Sequence, residues 1–209
     1  MSPSYQVART PLQTAFGAFD FHCFSWGDHE EDDILCQHKT PYNHGVPLVR
    51  VQSACYTAEI FRSTDCDCHA QLAQSLRRIQ AEGGLLIYML CDGRGAGLLN
   101  KVRGLTLGHS QGFDTSEAYR HLGLEQDPRT YDRVVEVLRH FDVQRLKLLT
   151  NNPRKVGGLA AGGLAVEREP LEVGSTEASR PYLQTKAQKM GHMLSEFLDS
   201  NIAARKAGD

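Results

Sequence analysis

The pattern of apolar and polar positions divides the chain near residue 46. Beyond it, short apolar runs alternate with stripes of helical period. VPLVRVQS (46–53) is rich in β-branched residues and predicts a strand. From His69 to Ala81, Leu72, Leu76 and Ile79 recur at helical spacing, and Gly83-Gly84 marks the end of that helix. LLIYML (85–90) is continuously apolar and predicts a buried strand, running directly into CDGRGAG (91–97) and then a helix over about 97 to 107. SEAYRHLG and TYDRVVEVLRHF predict two more helices, and RLKLLT (145–150) another buried strand. Asn152-Pro153 reads as an N-cap followed by a first-turn proline. LAVERE predicts a last strand and TKAQKMGHMLSEFL (185–198) a final amphipathic helix. Residues 1–45, including the solvated acidic run DHEEDD (28–33), read as an irregular segment packed on the domain, and 200–209 as a flexible tail. The expected fold is a single α/β (α+β) domain over 46–199, a mixed sheet flanked by helices.

Composition narrows the function classes. With 209 residues, 41% of them hydrophobic, the chain can bury one substantial core. Its 23 basic and 25 acidic residues leave a net charge of −2, so no whole-molecule field attracts nucleic acid or an anionic membrane, and any basic site is local. No apolar run approaches the ~18 residues of a membrane span, and MSPSYQVARTPLQ has no signal-peptide core. The expected location is the cytoplasm, where stable disulfides are rare. Cys23, Cys36 and Cys91 therefore read as small buried hydrophobes.

Three other cysteines are clustered. Cys55, Cys66 and Cys68 form C-x10-C-x-C, and the last two project from one edge of an extended segment, suited to gripping one tetrahedral ion. Three thiolates with an open fourth position is a catalytic zinc arrangement; a closed structural site completed by His69, or reduced thiols without metal, also fit the spacing. DGRGAG after the apolar strand offers backbone N–H groups and the Arg94 guanidinium to an anion, though it matches neither common phosphate-loop pattern. TNNPRKV (150–156) brings Lys155 to another strand-to-helix turn, and Asp127-Pro128-Arg129 reads as a loop before a helix.

Taken in order, PLVRV-S-C (47–55), C-D-C-x2-QL (66–72), GRG-GLLNK-R (93–103), QG-DT-EA (111–118), LG-x3-D-x-R (122–129), LLTNNP-K (148–155) and Y-TKA-KMGH (182–192) closely resemble GTP cyclohydrolase II. The resemblance covers roughly residues 45 to 195 and implies the stand-alone form of the enzyme that begins riboflavin synthesis. It implies zinc on Cys55, Cys66 and Cys68, water attack at C8 of the guanine imidazole ring, and a second hydrolysis releasing formate. Pyrophosphate release is implied at Arg129, matching the family's nucleophile toward the α-phosphorus, with Asp127 as proton acceptor; electrostatic stabilisation is the chemically safer role for a guanidinium. Arg50, Val51, Ser53, Gln71, Asp92, Gly93, Arg94, Thr115, Thr150 and Lys155 match nucleotide-holding positions. The resemblance further implies Mg2+ with the triphosphate and a homodimer.

The chain departs from the family at defined positions. V-H-S-E-C becomes Val51-Gln52-Ser53-Ala54-Cys55, losing an imidazole and a carboxylate. H-R-Q-E-G-R becomes Met89-Leu90-Cys91-Asp92-Gly93-Arg94, shortening the carboxylate expected to read the guanine edge. The family's tyrosine two residues after the arginine of N-K-x-R becomes Leu105, which offers no proton. A step relying on the phenol is expected to be lost or slowed about 10²- to 10⁴-fold. The departures predict ring opening that stops at the formamidopyrimidine nucleotide, or action on a different purine-type nucleotide. Ordinary formate-releasing activity and a silent nucleotide-binding protein are the remaining readings.

Overall fold

The short apolar runs Leu48–Ser53, Gly84–Met89 and Arg145–Leu149 are too short to be helices and too apolar to stay exposed, and they join four more polar strands in one seven-stranded sheet. The computed structural model describes residues 5–27 and 29–195. In chain order the strands are β1 (Gln6–Thr14), β2 (Gly17–Ser25), β3 (Ile34–Lys39), β4 (Leu48–Ser53), β5 (Gly84–Met89), β6 (Arg145–Leu149) and β7 (Ala165–Glu169). They are arranged as β1-β2-β3-β5-β4-β6-β7. β1, β2, β3 and β5 run antiparallel to their neighbours, whereas β5, β4, β6 and β7 are parallel.

Residues 1–45 are therefore not irregular where described: three of the seven strands come from them, in the same sheet as the rest. A two-residue turn links β1 to β2, fastened by Thr14 Oγ1, which donates to Gly17 O at 2.9 Å and accepts from Phe16 N at 3.1 Å. Only Glu30–Asp32 of the acidic run forms a short 3-10 turn. The expected tail, 200–209, lies outside the described residues.

The helices are α1 (Tyr56–Glu59), α2 (Cys68–Glu82), α3 (Leu98–Gln111), α4 (Thr115–His121), α5 (Asp132–His140), α6 (Pro153–Ala161) and α7 (Arg180–Met190). Asn152 caps α6 as expected, accepting from Arg154 N at 2.9 Å. α4 opens on a capping box, Asp114 accepting from Ser116 N and Glu117 N while Glu117 accepts from Asp114 N. The last helix differs from expectation. It starts at Arg180 and stops at Met190, where Gly191 turns left-handed (φ 66°); positions 196–198 of the expected helix lie outside the described residues.

Strand alternation splits the core into two layers. Val49 and Val51 face one layer, with Leu85, Ile87, Leu146 and Leu148 against Val134, Val137 and Leu138 of α5 and Leu159 of α6. Leu48 and Leu86 face the other, against Leu76 and Ile79 of α2. Gly84 lets β5 approach β4: a Cβ there would meet the Leu48 carbonyl oxygen at 1.9 Å. The same alternation turns Arg50 and Gln52 toward the α2 side, so β4 ends in polar groups rather than core. The carboxyl ends of β4, β5 and β6 open together into one cleft.

Candidate active site

Each wall of the cleft begins where a parallel strand ends, the usual binding place of such sheets. β4 delivers Ser53 and Cys55, β5 leads to Asp92, Gly93 and Arg94, and β6 leads to Thr150, Asn151 and Asn152. α3 contributes Lys101, Gly104, Leu105, Gly108 and His109.

Cys55 stands before the first turn of α1, and Cys68 opens α2. Their Sγ atoms and that of Cys66 lie within 4.8 Å of one another, with Cys55 and Cys66 3.8 Å apart. Among the described residues no histidine or carboxylate joins this group. His69 instead pairs with Arg62, so it does not complete a closed site. The thiols interact strongly: hydrogen bonds from Cys66 and Cys68 push the Cys55 thiol far down, while Cys55 in turn holds Cys66 up, at about 11, and Cys68 well up. Three thiols gathered within 4.8 Å, lining the cleft, fit a divalent cation, and the three could hold a metal.

Beside the thiols, Lys101 Nζ lies 3.2 Å from Cys55 Sγ and 2.9 Å from Asp92 Oδ1. Burial disfavours its charge, but Asp92 and Cys55 outweigh that and hold it protonated. Asp92 is fully engaged: its carboxylate also accepts from Tyr56 N at 3.0 Å and from Gly93 N. The loop after it, Gly93–Gly95, is tight, with Arg94 itself left-handed (φ 57°). Tyr119 OH donates to Gly93 O at 2.9 Å beneath this loop. Arg94 Nη2 is buried and has no hydrogen-bond partner among the described residues.

On the opposite wall Arg129 grips Asp127 through two parallel bonds of 2.7 Å, and its Nη1 donates to Ser53 Oγ at 3.0 Å. Arg154 adds a third cationic contact to Asp127 at 3.0 Å. Burial raises the Asp127 carboxyl, but the Arg129 bonds overcome it and hold it below the usual range. The same pair, against burial, keeps Arg129 firmly protonated. A guanidinium so held keeps its proton and its charge.

Arg50 is buried, donating to Gln52 Oε1 at 3.0 and 2.7 Å, to Gln71 Oε1 at 2.8 Å and to Leu149 O at 3.0 Å. Gln52 passes the chain on to Glu59 at 2.7 Å, and Tyr88 OH also donates to Glu59. Gln71 donates to Asp67, the residue between Cys66 and Cys68, which also pairs with Lys186 at 3.2 Å. Lys155 donates to Val51 O at 2.7 Å; burial, followed by the charges of Arg50 and Arg129, pushes its pKa well down.

The structure brings nearly every expected site residue to this cleft: Arg50, Ser53, Cys55, Cys66, Cys68, Gln71, Asp92, Gly93, Arg94, Thr115, Arg129, Thr150 and Lys155 line it. Asp127 is buried behind Arg129. Val51 does not line it; its side chain belongs to the core and only its carbonyl, held by Lys155, reaches toward the site. Leu105, at the altered position, faces the cleft and is 37% exposed. Lys101, Tyr119, Tyr182, Lys186 and His192 were given no role by the sequence, although four of them stand in the GRG-GLLNK-R and Y-TKA-KMGH strings. A lysine or histidine in such strings carries no signal of its direction until the fold turns it inward.

Comparisons with known proteins agree with this geometry. The family model described as GTP cyclohydrolase II matches residues 5–170. A GTP cyclohydrolase-2 of Hahella chejuensis is 43% identical over 209 residues, 98% of this chain and 100% of that protein. Another, from Shewanella halifaxensis, is 38% identical over 210 residues, 99% of this chain and 100% of that protein. Riboflavin biosynthesis protein RibBA of Bacillus velezensis is 43% identical over 186 residues, 88% of this chain but 46% of that longer protein. The match from residue 5 onward includes β1 to β3, in keeping with one continuous sheet. The chain belongs to the GTP cyclohydrolase II family of hydrolases.

Proposed function

We propose that this enzyme opens the imidazole ring of GTP at C8 and releases pyrophosphate, and that it stops at the formamidopyrimidine nucleotide. The observation that carries this reading is the pairing of an open three-thiol site with Leu105 on the wall of the same cleft. Zinc on Cys55, Cys66 and Cys68 would supply a water of lowered pKa for hydrolysis. Lys101, charged and held by Asp92, stabilises negative charge developing beside Cys55. Arg129, fixed by Asp127 and Ser53, stabilises charge at the α-phosphoryl group, while Arg94 and Lys155 hold the phosphate chain with Mg2+. Leu105 presents hydrocarbon where a phenol would assist the second hydrolysis. The reading includes a homodimer in the cytoplasm; among the described residues no helix is long and apolar enough to cross a membrane.

A specific observation favours a second reading, a purine-type nucleotide other than GTP. The Asp92 carboxylate already accepts from Tyr56 N, Gly93 N and Lys101 Nζ, which leaves it little capacity for a guanine edge. One assay separates these readings: zinc-loaded protein with GTP and Mg2+, followed for formate, pyrophosphate and product mass. The expected outcome is pyrophosphate with a formyl-retaining product. Formate in stoichiometric yield overturns the truncated reaction. Turnover of another purine nucleotide but not of GTP establishes the second reading.

A further inference from the structure

The family model's match ends at residue 170, whereas the cleft draws on residues beyond it. α7 and the turn after it add Tyr182, Lys186, Met190 and His192 to its lining. Two polar ties fix this segment in place. Lys186 Nζ pairs with Asp67 Oδ1 at 3.2 Å, joining α7 to the loop between two of the thiols. Met193 N donates to Asn151 O at 2.9 Å, joining the far end to the loop after β6. Between them Gly191 reverses the chain with φ 66°, and His192 N donates to Lys186 O at 3.1 Å. Leu183 and Leu194 pack together behind the turn. His192 is thus held by backbone on both sides, with its ring on the cleft.

The ring faces an unusual concentration of charge. Burial and then Lys186, Lys155, Arg94 and Arg129 push its pKa down to about 3. Among the described residues two of those basic groups have no carboxylate partner: Lys155 donates to a carbonyl, and Arg94 leaves Nη2 buried and unbonded. Buried basic donors without a counter-charge favour an anion beside them. A neutral imidazole adds a donor there without adding to the repulsion among the cations.

We propose that the α7 segment forms the phosphate-side wall of the nucleotide site, with His192 donating a hydrogen bond to the phosphate chain and Lys186 positioning that wall through Asp67. The inference rests on the nucleotide reading above and extends it past residue 170, where the family model's match ends. Inorganic triphosphate is the probe, because it carries the phosphate chain without any base. The full-length zinc-loaded protein is titrated calorimetrically with triphosphate and Mg2+, alongside measurements of zinc content and unfolding temperature.

Wild-type protein is expected to bind triphosphate. H192A weakens that binding about tenfold, and H192Q by less because its amide still donates, while zinc content and unfolding temperature stay unchanged. K186M lowers zinc content as well, since it leaves Asp67 buried without its counter-charge. Triphosphate affinity equal in wild type and both His192 variants overturns the inference and leaves the nucleotide reading standing. A lowered unfolding temperature that accounts for the loss in H192A, with H192Q no better, also overturns it in favour of packing. Wild-type protein that binds neither triphosphate nor GTP overturns the nucleotide reading itself.

Discussion

The two halves of the sheet share one hydrogen-bonded ladder but serve different ends. In β5-β4-β6-β7 every strand points the same way, so three consecutive strand ends discharge their loops into one cleft. In β1-β2-β3 directions alternate, and no residue of these strands lines it. What the antiparallel half carries instead is an aromatic and imidazole core, in which His22 stacks on Phe24 and meets Phe141, while His38 lies against Phe141 and bonds Tyr42 OH at 2.8 Å. The same residue type, histidine, is a packing element in one half, while beside the other half His192 lines the cleft near Lys186, Lys155, Arg94 and Arg129. Strand direction decides which, because it determines whether neighbouring loops converge.

That contrast can be tested in order of expected effect. Cys68→Ser should abolish zinc retention and reduce hydrolysis by about 10³-fold or more, with the far-ultraviolet spectrum unchanged; metal analysis beside a turnover assay checks it. Arg129→Lys, which loses the two-bond grip on Asp127, should slow pyrophosphate release about 10²- to 10³-fold. If that variant releases pyrophosphate at the original rate, Arg129 is not the stabilising group. Leu105→Tyr should raise formate release by about 10²-fold, read by formate quantification under single-turnover conditions.

The smallest effect belongs to the antiparallel half. Burial, with smaller repulsion from neighbouring imidazoles, holds His22 and His38 below their ordinary value, while Asp20 opposes it. Below about pH 6.5 the unfolded chain therefore takes up protons that the folded chain refuses, so stability falls as pH falls through that window. Urea midpoints should drop between pH 7 and pH 5, and His22→Phe should lessen the drop without altering turnover at pH 7. A variant that changes turnover instead would join the two halves functionally and break the comparison.

Legibility in the sequence followed the same division. β4, β5 and β6 are short, largely apolar runs, so these strands, β7 and the helices between them other than α1 could be placed from pattern alone. β1 is exposed along nearly its whole length and contains Pro11, which hid it among loop-like residues. β2 and β3 alternate with Asp20, His22 and His38 in place of plainly apolar partners. α1 is a single turn, too short to leave a period. In the site, the thiols were readable because C-x10-C-x-C needs no third dimension to suggest a metal. The commitments of Asp92, Arg50 and Gln71 to protein partners were not readable, since those partners lie on other elements: Lys101 on α3, Leu149 on β6, Asp67 before α2. The Cys91 thiol, expected to be a buried hydrophobe, is only partly buried, beside the engaged carboxylate.

Arg94 carries one further consequence. It holds a left-handed backbone (φ 57°, ψ 31°), a conformation that costs a side-chain-bearing residue about 1–2 kcal/mol and glycine almost nothing. Glycine stands immediately before and after it, so the turn itself would accept a third. Thermal selection acting alone would favour Arg94→Gly; the guanidinium persists only if something outside the fold rewards it. With Arg94 in its proposed phosphate-holding role, stability and ligand capture pull in opposite directions at this residue, and the strained loop is where a thermostabilising screen of this enzyme would trade away its substrate.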